Sequence, residues 1–319
     1  MTRSFRSRRF LARASSMAGT LLLGGALAAG GFRAALASVP AAPPSVAAAP
    51  ASRPLSTYKG LSAPESVLYD AVGDRYLVSN VNGNPTERDN NGFISVLSPS
   101  GEITALKWIE GGKNGVKLDA PKGLALVGDT LYVADISVVR TFDARTGAAR
   151  GDIPVPGSTF LSDLVAGADG KLYLTDAGPP QGEFDGAGTE AVYVIKGKRA
   201  RPLAKGSALG RPDGLAWSEK GPVISPFGSD EIYRLDGHGK RQDVTKLPAG
   251  GLAGIVKLGD GYLVSSWQTS SIYRGKLGGT FRVALSGQQS PADIGYDTRR
   301  ARLLVPHFTE GTVEAFALE

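Results

Sequence analysis

The side chains best suited to chemistry in this sequence occupy one position in successive copies of a repeated pattern. Two are acids, one is a lysine and one is a serine: Glu65, Lys122, Ser162 and Asp213. The last two copies carry only methyl groups there, at Ala253 and Ala292. Carboxylates supply the charge that a hard divalent cation requires, and they also transfer protons in catalysis. The pattern therefore predicts a metal site formed by Glu65, Ser162 and Asp213.

Lys122 allows two other interpretations of the same ring. Its ammonium group opposes a bound metal ion, and it can instead take the place of the metal by pairing with Glu65 and Asp213 across the ring. A divalent-metal site, a structural ion-pair network and a metal-free site for an organic ligand all stay open. Lys122 is therefore a candidate ligand-binding residue, unless the ion-pair network holds it.

A second circle of polar residues follows the second apolar run of the repeat. The loops at these points are expected to open toward the same side as the first ring, so they predict further ligand-binding residues at Asn80, Asp135 and His307. Asp163, beside Ser162, and Asp176, in the second circle, are the candidate general bases. Side chains alternate between the two faces of a strand, so a one-residue slip in this alignment would turn all of them away.

Several other chemistries are excluded by composition. The chain has no cysteine, so it has neither disulfides nor a thiol nucleophile. It has two histidines, which excludes a histidine-rich zinc site, and a Ser-His-Asp triad could use only His307. His238 lies in a polar turn, and no G-x-S-x-G nucleophile elbow is present.

The elements that must position these residues come from the repeat itself. Each copy contains three short apolar runs, which are rich in Val, Ile, Leu and Tyr and are separated by Gly, Asp and Pro turns. The anchors of the first runs are spaced 57, 40, 51, 40 and 39 residues apart: Val67, Leu124, Leu164, Leu215, Ile255 and Ile294. A period near 40 with two insertions predicts an all-β fold, a six-bladed β-propeller with four-stranded antiparallel blades.

The domain boundaries follow from where the repeat begins and ends. The last copy has only three runs, so the segment Leu55–Tyr58 is predicted to supply its fourth strand and close the ring. Residues 55–319 are therefore expected to form a single propeller domain. The Ala/Pro-rich residues 38–54 are interpreted as a disordered spacer.

Residues 1–37 have the three parts of an export signal. They contain six arginines and no acid, then an apolar stretch, then Ala35-Leu36-Ala37 as a cleavage site. Arg8-Arg9 resembles a twin-arginine signal, and the general secretory route stays open as well. Removing these residues leaves 30 basic and 30 acidic side chains, so the pI gives no reason to expect a nucleic-acid partner. We expect a periplasmic or secreted monomer that is free of the membrane after cleavage.

Two motifs resemble those of the regucalcin/gluconolactonase family of six-bladed propellers, and the resemblance spans residues 60–317. Glu65-Ser66-Val67-Leu68-Tyr69 is similar to the opening motif of that family, and Pro212-Asp213-Gly214-Leu215-Ala216-Trp217 is similar to its Asn/Asp-Gly-Leu-x-Trp motif. The resemblance implies hydrolysis of sugar lactones or related esters with one divalent metal, often calcium. It implies Glu65 and Asp213 as ligands, with Ser162 where a further Asn is expected.

The main departure from the family pattern is Ala253, which falls where the resemblance places a catalytic Asp. An alanine can neither bind a metal nor accept a proton. The sequence therefore supports two hypotheses. One is an exported lactone or ester hydrolase assisted by a divalent metal, calcium above all. The other is a non-catalytic propeller that binds a small molecule or a protein at its rim.

Overall fold

The computed structural model describes residues 53–179 and 188–318. The predicted export signal and almost all of the predicted spacer lie outside these residues, as does most of the second insertion. Their assignments stay predictions. Within the described residues the only helix is one turn of 3₁₀ helix, Ser207–Leu209, and no helix is long and apolar enough to cross a bilayer.

The strands form six antiparallel sheets of four strands each, which confirms the predicted six-bladed β-propeller. Blade 1 contains β2 Pro64–Asp70, β3 Arg75–Asn80, β4 Phe93–Leu97 and β5 Ile103–Glu110; blade 2 contains β6 Pro121–Val127, β7 Thr130–Asp135, β8 Val138–Asp143 and β9 Ala149–Pro154. Blade 3 contains β10 Leu161–Ala166, β11 Leu172–Asp176, β12 Ala191–Lys196 and β13 Arg199–Lys205; blade 4 contains β14 Pro212–Ser218, β15 Gly221–Pro226, β16 Glu231–Leu235 and β17 Arg241–Lys246. Blade 5 contains β18 Leu252–Leu258, β19 Gly261–Ser266, β20 Ser271–Gly275 and β21 Arg282–Ser286.

Blade 6 joins the two ends of the described chain. Its first three strands are β22 Gly295–Asp297, β23 Arg302–His307 and β24 Thr312–Ala317. The fourth is the N-terminal strand β1 Ser56–Lys59, which pairs antiparallel with β24. The N-terminal segment therefore completes the last blade, as the sequence predicted, and the ring is closed by backbone hydrogen bonds instead of leaving an open edge.

Apolar side chains are buried at every interface between neighbouring blades. Six clusters of buried residues each combine side chains from two adjacent blades, including the interface between blades 6 and 1. Tyrosines contribute heavily to these clusters; Tyr58, Tyr76, Tyr193, Tyr233 and Tyr273 are all fully buried. Burying aromatic and β-branched side chains on both faces of short strands is the main favourable term in this fold.

Candidate functional site

The first strand of each blade surrounds the central channel, and five of these strands are irregular where they enter it. The pairing of β2, β6, β10, β14 and β18 with the next strand shifts register near the start of the first strand. Such bulges insert a residue and redirect its side chain. Glu65, Lys122, Ser162, Asp213 and Ala253 all lie in these shifted segments.

Buried hydroxyl groups satisfy the backbone groups that the bulges free from strand pairing. In blade 3, Thr175 Oγ1 accepts a hydrogen bond from the Asp163 backbone N–H (2.9 Å) and donates one to the carbonyl of Asp213 in the next blade (2.5 Å). In blade 5, Ser265 Oγ accepts from Gly254 N–H (2.8 Å) and donates to the Ala292 carbonyl (2.8 Å). These hydroxyls therefore hold the mouth residues in place and link neighbouring blades.

The mouth residues surround a cavity of about 200 Å³, which we call the mouth cavity. Five of the six predicted ring residues line it: Glu65, Lys122, Asp213, Ala253 and Ala292. Further lining comes from Arg211 and from a set of apolar residues, Pro85, Phe160, Ala177, Phe227, Trp267 and Phe308. Trp267 contacts both Phe227 and Phe308, at ring-centroid distances of 6.0 and 5.8 Å. The cavity thus combines two acids and two cations with a largely aromatic wall.

Lys122 is a buried ammonium group without a contacting carboxylate. Its Nζ donates hydrogen bonds to the carbonyls of Pro85 (3.0 Å) and Ala120 (3.1 Å) and lies 4.4 Å from the centre of the Phe160 ring. The ion pairs within 4.0 Å among the described residues do not join it to Glu65 or Asp213. Burial lowers the pKa of Lys122 to about 8, although nearby carboxylates oppose the shift.

The two acids of the mouth cavity have different environments. Asp213 is hydrogen-bonded by the Ser162 hydroxyl, and burial raises its pKa to about 6. Glu65 has one buried oxygen, Oε2, with no hydrogen-bond partner. Burial, reinforced by the charges of Asp293 and Asp213, raises the pKa of Glu65 well above its ordinary value. The raised pKa of Glu65 favours its protonated form, whereas Asp213, with a pKa of about 6, is mostly ionised near neutral pH.

Two further carboxyl groups, Asp163 and Asp293, lie one residue beyond the ring positions Ser162 and Ala292. Asp163 accepts hydrogen bonds from the backbone N–H groups of Leu164 (2.6 Å) and Leu215 (2.7 Å). Asp293, which the sequence analysis did not single out, accepts a hydrogen bond from Ser66 Oγ (2.5 Å). Burial raises the pKa of Asp293 to about 7. The predicted base Asp163 therefore lies below the mouth cavity and not in its lining.

These buried carboxyls predict an unusual dependence of stability on pH. Their folded-state pKa values are raised, so the folded protein retains protons that the unfolded chain loses above about pH 4. The free energy of unfolding should therefore fall as the pH rises from 5 to 7.5. In Asp293→Asn, the fall should be smaller by at least about 1 kcal/mol. Urea unfolding at both pH values measures this difference, and equal slopes for the two proteins would contradict it.

The second circle of polar residues does not face the mouth cavity. Asn80, Asp135 and Asp176 have no exposed surface, and each accepts hydrogen bonds from the loop that leads into the first strand of its own blade. Asn80 Oδ1 accepts from Ser62 N–H, and Asp135 accepts from the N–H groups of Asp119 and Ala120 as well as from Arg140 Nε. These side chains, which we call clasps, hold the loop and do not line the mouth cavity, so the ligand-binding role of Asn80 and Asp135 stays a prediction from the sequence.

Asp176 and His307 belong to the same set of clasps. The Asp176 carboxylate accepts from the backbone N–H groups of Thr159 (3.1 Å), Phe160 (2.9 Å) and Gly178 (3.1 Å). His307 is 5% exposed, and its Nδ1 lies 2.7 Å from the Gln289 carbonyl oxygen. Neither residue lines the mouth cavity, so the structure does not place Asp176 as a base or His307 as a ligand-binding residue there.

In blades 3 to 6, the residue that directly follows the second strand faces the mouth cavity. Ala177, Trp267 and Phe308 directly follow Asp176, Ser266 and His307, and Phe227 follows the last residue of β15. In blades 3 and 6 the mouth residue directly follows the clasp, and strand alternation turns the clasp side chain away from the cavity. In blades 1 and 2 the residues after the clasps, Val81 and Ile136, belong to a buried apolar cluster instead. Phe160 and Arg211 were also missed, although both stand two residues before a predicted ring residue and the repeat could have indicated them.

The donor set of the mouth cavity fits a divalent cation poorly. No group of three or more His, Cys, Asp or Glu residues within 53–179 and 188–318 is arranged to hold a metal ion. Glu65 and Asp213 provide two carboxylates, whereas calcium takes six to eight oxygen ligands. Lys122 and Arg211 add two positive charges to the same lining. The predicted metal ligands Glu65, Ser162 and Asp213 remain a prediction.

Comparison with known proteins finds solved structures of similar fold but no matching sequence. No protein-family model matches the chain, and no curated protein matches it in sequence. Among solved structures, a gluconolactonase from Xanthomonas campestris superposes with a TM-score of 0.62 at 16% identity, covering 82% of this chain and 88% of its own. A putative gluconolactonase gives 0.61 at 15% identity, covering 83% and 91%. Streptogramin B lyase gives 0.58 at 12% identity, covering 82% and 98%.

These matches identify the class of fold. The chain has the six-bladed propeller fold found in solved gluconolactonases, as the sequence motifs predicted, and lyases of streptogramin antibiotics have it too. At such low identity the likeness concerns the fold alone, so the chemistry must be argued from the mouth cavity itself.

Proposed function

We propose that the protein hydrolyses a small lactone or ester in the mouth cavity without a metal ion. The observation that carries this proposal is the lining of that cavity, where two acids, Glu65 and Asp213, and the buried Lys122 meet beside an aromatic wall. A pair of carboxyls whose environments separate their pKa values is a recurring basis for acid and base roles in one site.

The roles follow from the charge of each group. The Asp213 carboxylate takes a proton from water, and the water oxygen attacks the ester or lactone carbonyl carbon. The ammonium group of Lys122 and the guanidinium of Arg211 stabilise the negative charge that develops on the carbonyl oxygen. Protonated Glu65 gives its proton to the leaving oxygen as the C–O bond breaks. The aromatic wall of Phe227, Trp267 and Phe308 would hold the body of the substrate.

The solved structures of similar fold support this class of substrate. Two of the solved structures with this fold are described as gluconolactonases, so sugar lactones are the first substrates to test. Assistance by calcium is tested separately, because the residues of the mouth cavity fit a calcium ion poorly and the proposed hydrolysis does not require one. Export to the periplasm or beyond and a monomeric state also stay predictions from the sequence.

Substituting Lys122→Met tests the role given to the buried ammonium group. Methionine keeps the apolar stem beside Phe160 but removes the charge, and loss of one such electrostatic contact costs about 10²-fold in kcat. We expect this loss for the lactone or ester that the wild type hydrolyses best. The mutant should remain folded, because a buried charge is also removed.

The assay is run on residues 38–319 with a panel of sugar lactones and aryl esters, first with chelator and then with millimolar calcium. Activity that survives the chelator and requires Lys122 supports the proposal. Activity that appears only with calcium would overturn the metal-free mechanism and restore the metal site predicted from Glu65, Ser162 and Asp213.

A second candidate function is binding of a small molecule without catalysis. It is favoured by Ala253 and Ala292, which leave one side of the ring without any polar group. Its test is direct: the quenching of Trp267 fluorescence by a lactone, together with no turnover of any compound of the panel, would select the binding protein over the hydrolase.

A further inference from the structure

A second cavity opens at the opposite end of the channel. We call it the lower cavity; its volume is about 300 Å³, equal to that of about ten water molecules. The six repeat anchors form its wall: Val67, Leu124, Leu164, Leu215, Ile255 and Ile294. The same repeat that places polar residues at the mouth therefore surrounds the lower cavity with aliphatic side chains.

Two carboxyl groups line this largely aliphatic cavity. Asp163 and Asp293 both belong to the lining, together with Ser66. The oxygens of Asp163 accept backbone hydrogen bonds from Leu164 and Leu215, and Asp293 is held by the Ser66 hydroxyl. Neither carboxyl takes part in the ion pairs found among the described residues, and neither lines the cavity of the proposed hydrolysis.

The lining of the lower cavity has more acidic than basic side chains. Among the described residues, its one cationic lining residue is Lys257, which lies near the end of β18 with its side chain exposed. The mouth cavity, by contrast, has Lys122 and Arg211 beside its two acids. A carboxyl group removed from water without a cationic partner favours its protonated form, and a bound cation would stabilise the ionised form.

The side chains that line the lower cavity determine which kind of cation can bind there. Aliphatic side chains offer no oxygen ligands, so a hard metal ion would gain little from this lining. Tyr69, Trp217 and Tyr296 line the cavity beside the aliphatic ring, and aromatic faces attract organic ammonium groups. An occupant with a cationic head and an apolar body would place the head at Asp163 and Asp293 and the body against the anchors.

We propose that the lower cavity is a binding site for an organic ammonium compound, distinct from the mouth cavity. The amine contacts the Asp293 and Asp163 carboxylates, and its alkyl or aromatic body fills the ring of the six anchors. The proposal does not depend on the reaction at the other mouth, because the two cavities share no lining residue.

The test uses three probes of similar size, n-hexylammonium, hexan-1-ol and hexanoate, in titration calorimetry with residues 38–319. Hexylammonium should bind at least tenfold more tightly than the neutral alcohol, and hexanoate should bind most weakly. In a Trp267→Phe background, hexylammonium should still change tryptophan emission, because Trp217 lines the lower cavity. Equal affinity for the amine and the alcohol would overturn the proposal.

Variants locate the binding site. Asp293→Asn should weaken hexylammonium binding at least tenfold, whereas Lys122→Met, at the other mouth, should change it less than twofold. Leu124→Phe keeps both carboxyls but fills the aliphatic ring, so it should weaken binding of hexylammonium and hexanol alike. If Lys122→Met alters amine binding while Leu124→Phe does not, the amine binds in the mouth cavity and the proposal is wrong.

Discussion

Asp213→Asn is expected to lower kcat/KM for lactone or ester hydrolysis about 10³-fold, the largest catalytic effect of any single substitution in this chain. The amide cannot accept a proton from water, yet it has nearly the same size and can still accept the hydrogen bond of Ser162. Binding of the substrate should change little, so the loss should appear in kcat and not in KM.

The pH dependence of kcat/KM is a second test of Asp213 as the general base. In the wild type, the rise of kcat/KM should follow the Asp213 pKa of about 6 and its fall the Lys122 pKa of about 8. The acidic limb should disappear in Asp213→Asn, because the titrating base is gone. A mutant that retained both limbs would show that another group is the base.

Asp176→Asn is the matched control for this experiment. Asp176 is fully buried, but it accepts hydrogen bonds from Thr159, Phe160 and Gly178 and does not line the mouth cavity. Its replacement should lower stability by about 1–3 kcal/mol, because one of its acceptor oxygens becomes a donor facing backbone N–H groups. Its kcat should stay within twofold of the wild type. A loss of turnover without a loss of stability would instead support Asp176 as a base.

Gly214→Ala is expected to destabilise the protein by at least about 3 kcal/mol. Gly214 lies in the first strand of blade 4, where an added Cβ would stand 2.0 Å from the Ala253 carbonyl oxygen and 2.9 Å from Gly254 Cα. Both atoms belong to the backbone of blade 5, so no side chain can move aside to relieve the contact. The two blades would have to separate at the channel.

The measurement is the midpoint of urea or thermal unfolding, with Gly237→Ala as the control. Gly237 lies in a turn, has an ordinary backbone conformation and has no heavy atom within 4 Å of an added Cβ. Alanine there should change stability by less than about 0.5 kcal/mol. For a chain of this size, the Gly214 variant should melt at least about 6 °C lower. Similar melting of both variants would mean that blades 4 and 5 are not in close contact.

The fold could be predicted from the sequence because the evidence for it is repeated. Six copies of one pattern, each with anchors such as Leu124 or Ile255, make the assignment insensitive to an error in any one strand. The closure of blade 6 by Ser56–Lys59 was predictable for the same reason, since the last copy lacked one strand.

The site was predictable only in part. The first ring was found because Glu65, Lys122 and Asp213 have fixed offsets from their anchors, and the bulge that carries them recurs from blade to blade. Asp135 and His307, predicted in the second circle, do not line the mouth cavity, because a clasp and a mouth residue can be sequence neighbours. Polarity suggested a ligand contact, whereas each of these side chains is bonded to its own loop.

The sequence by itself thus determined the number of blades, the closure of the ring and the residues of its inner circle, because a period near 40 residues repeats those features. Only the tertiary structure decided which neighbour of each clasp faces the mouth cavity, and that Lys122 pairs with carbonyls instead of acids. It alone brought Asp293 beside Ser66, which lies 227 positions away in the chain. Such contacts depend on side-chain direction and on the approach of distant strands, which a linear pattern does not encode.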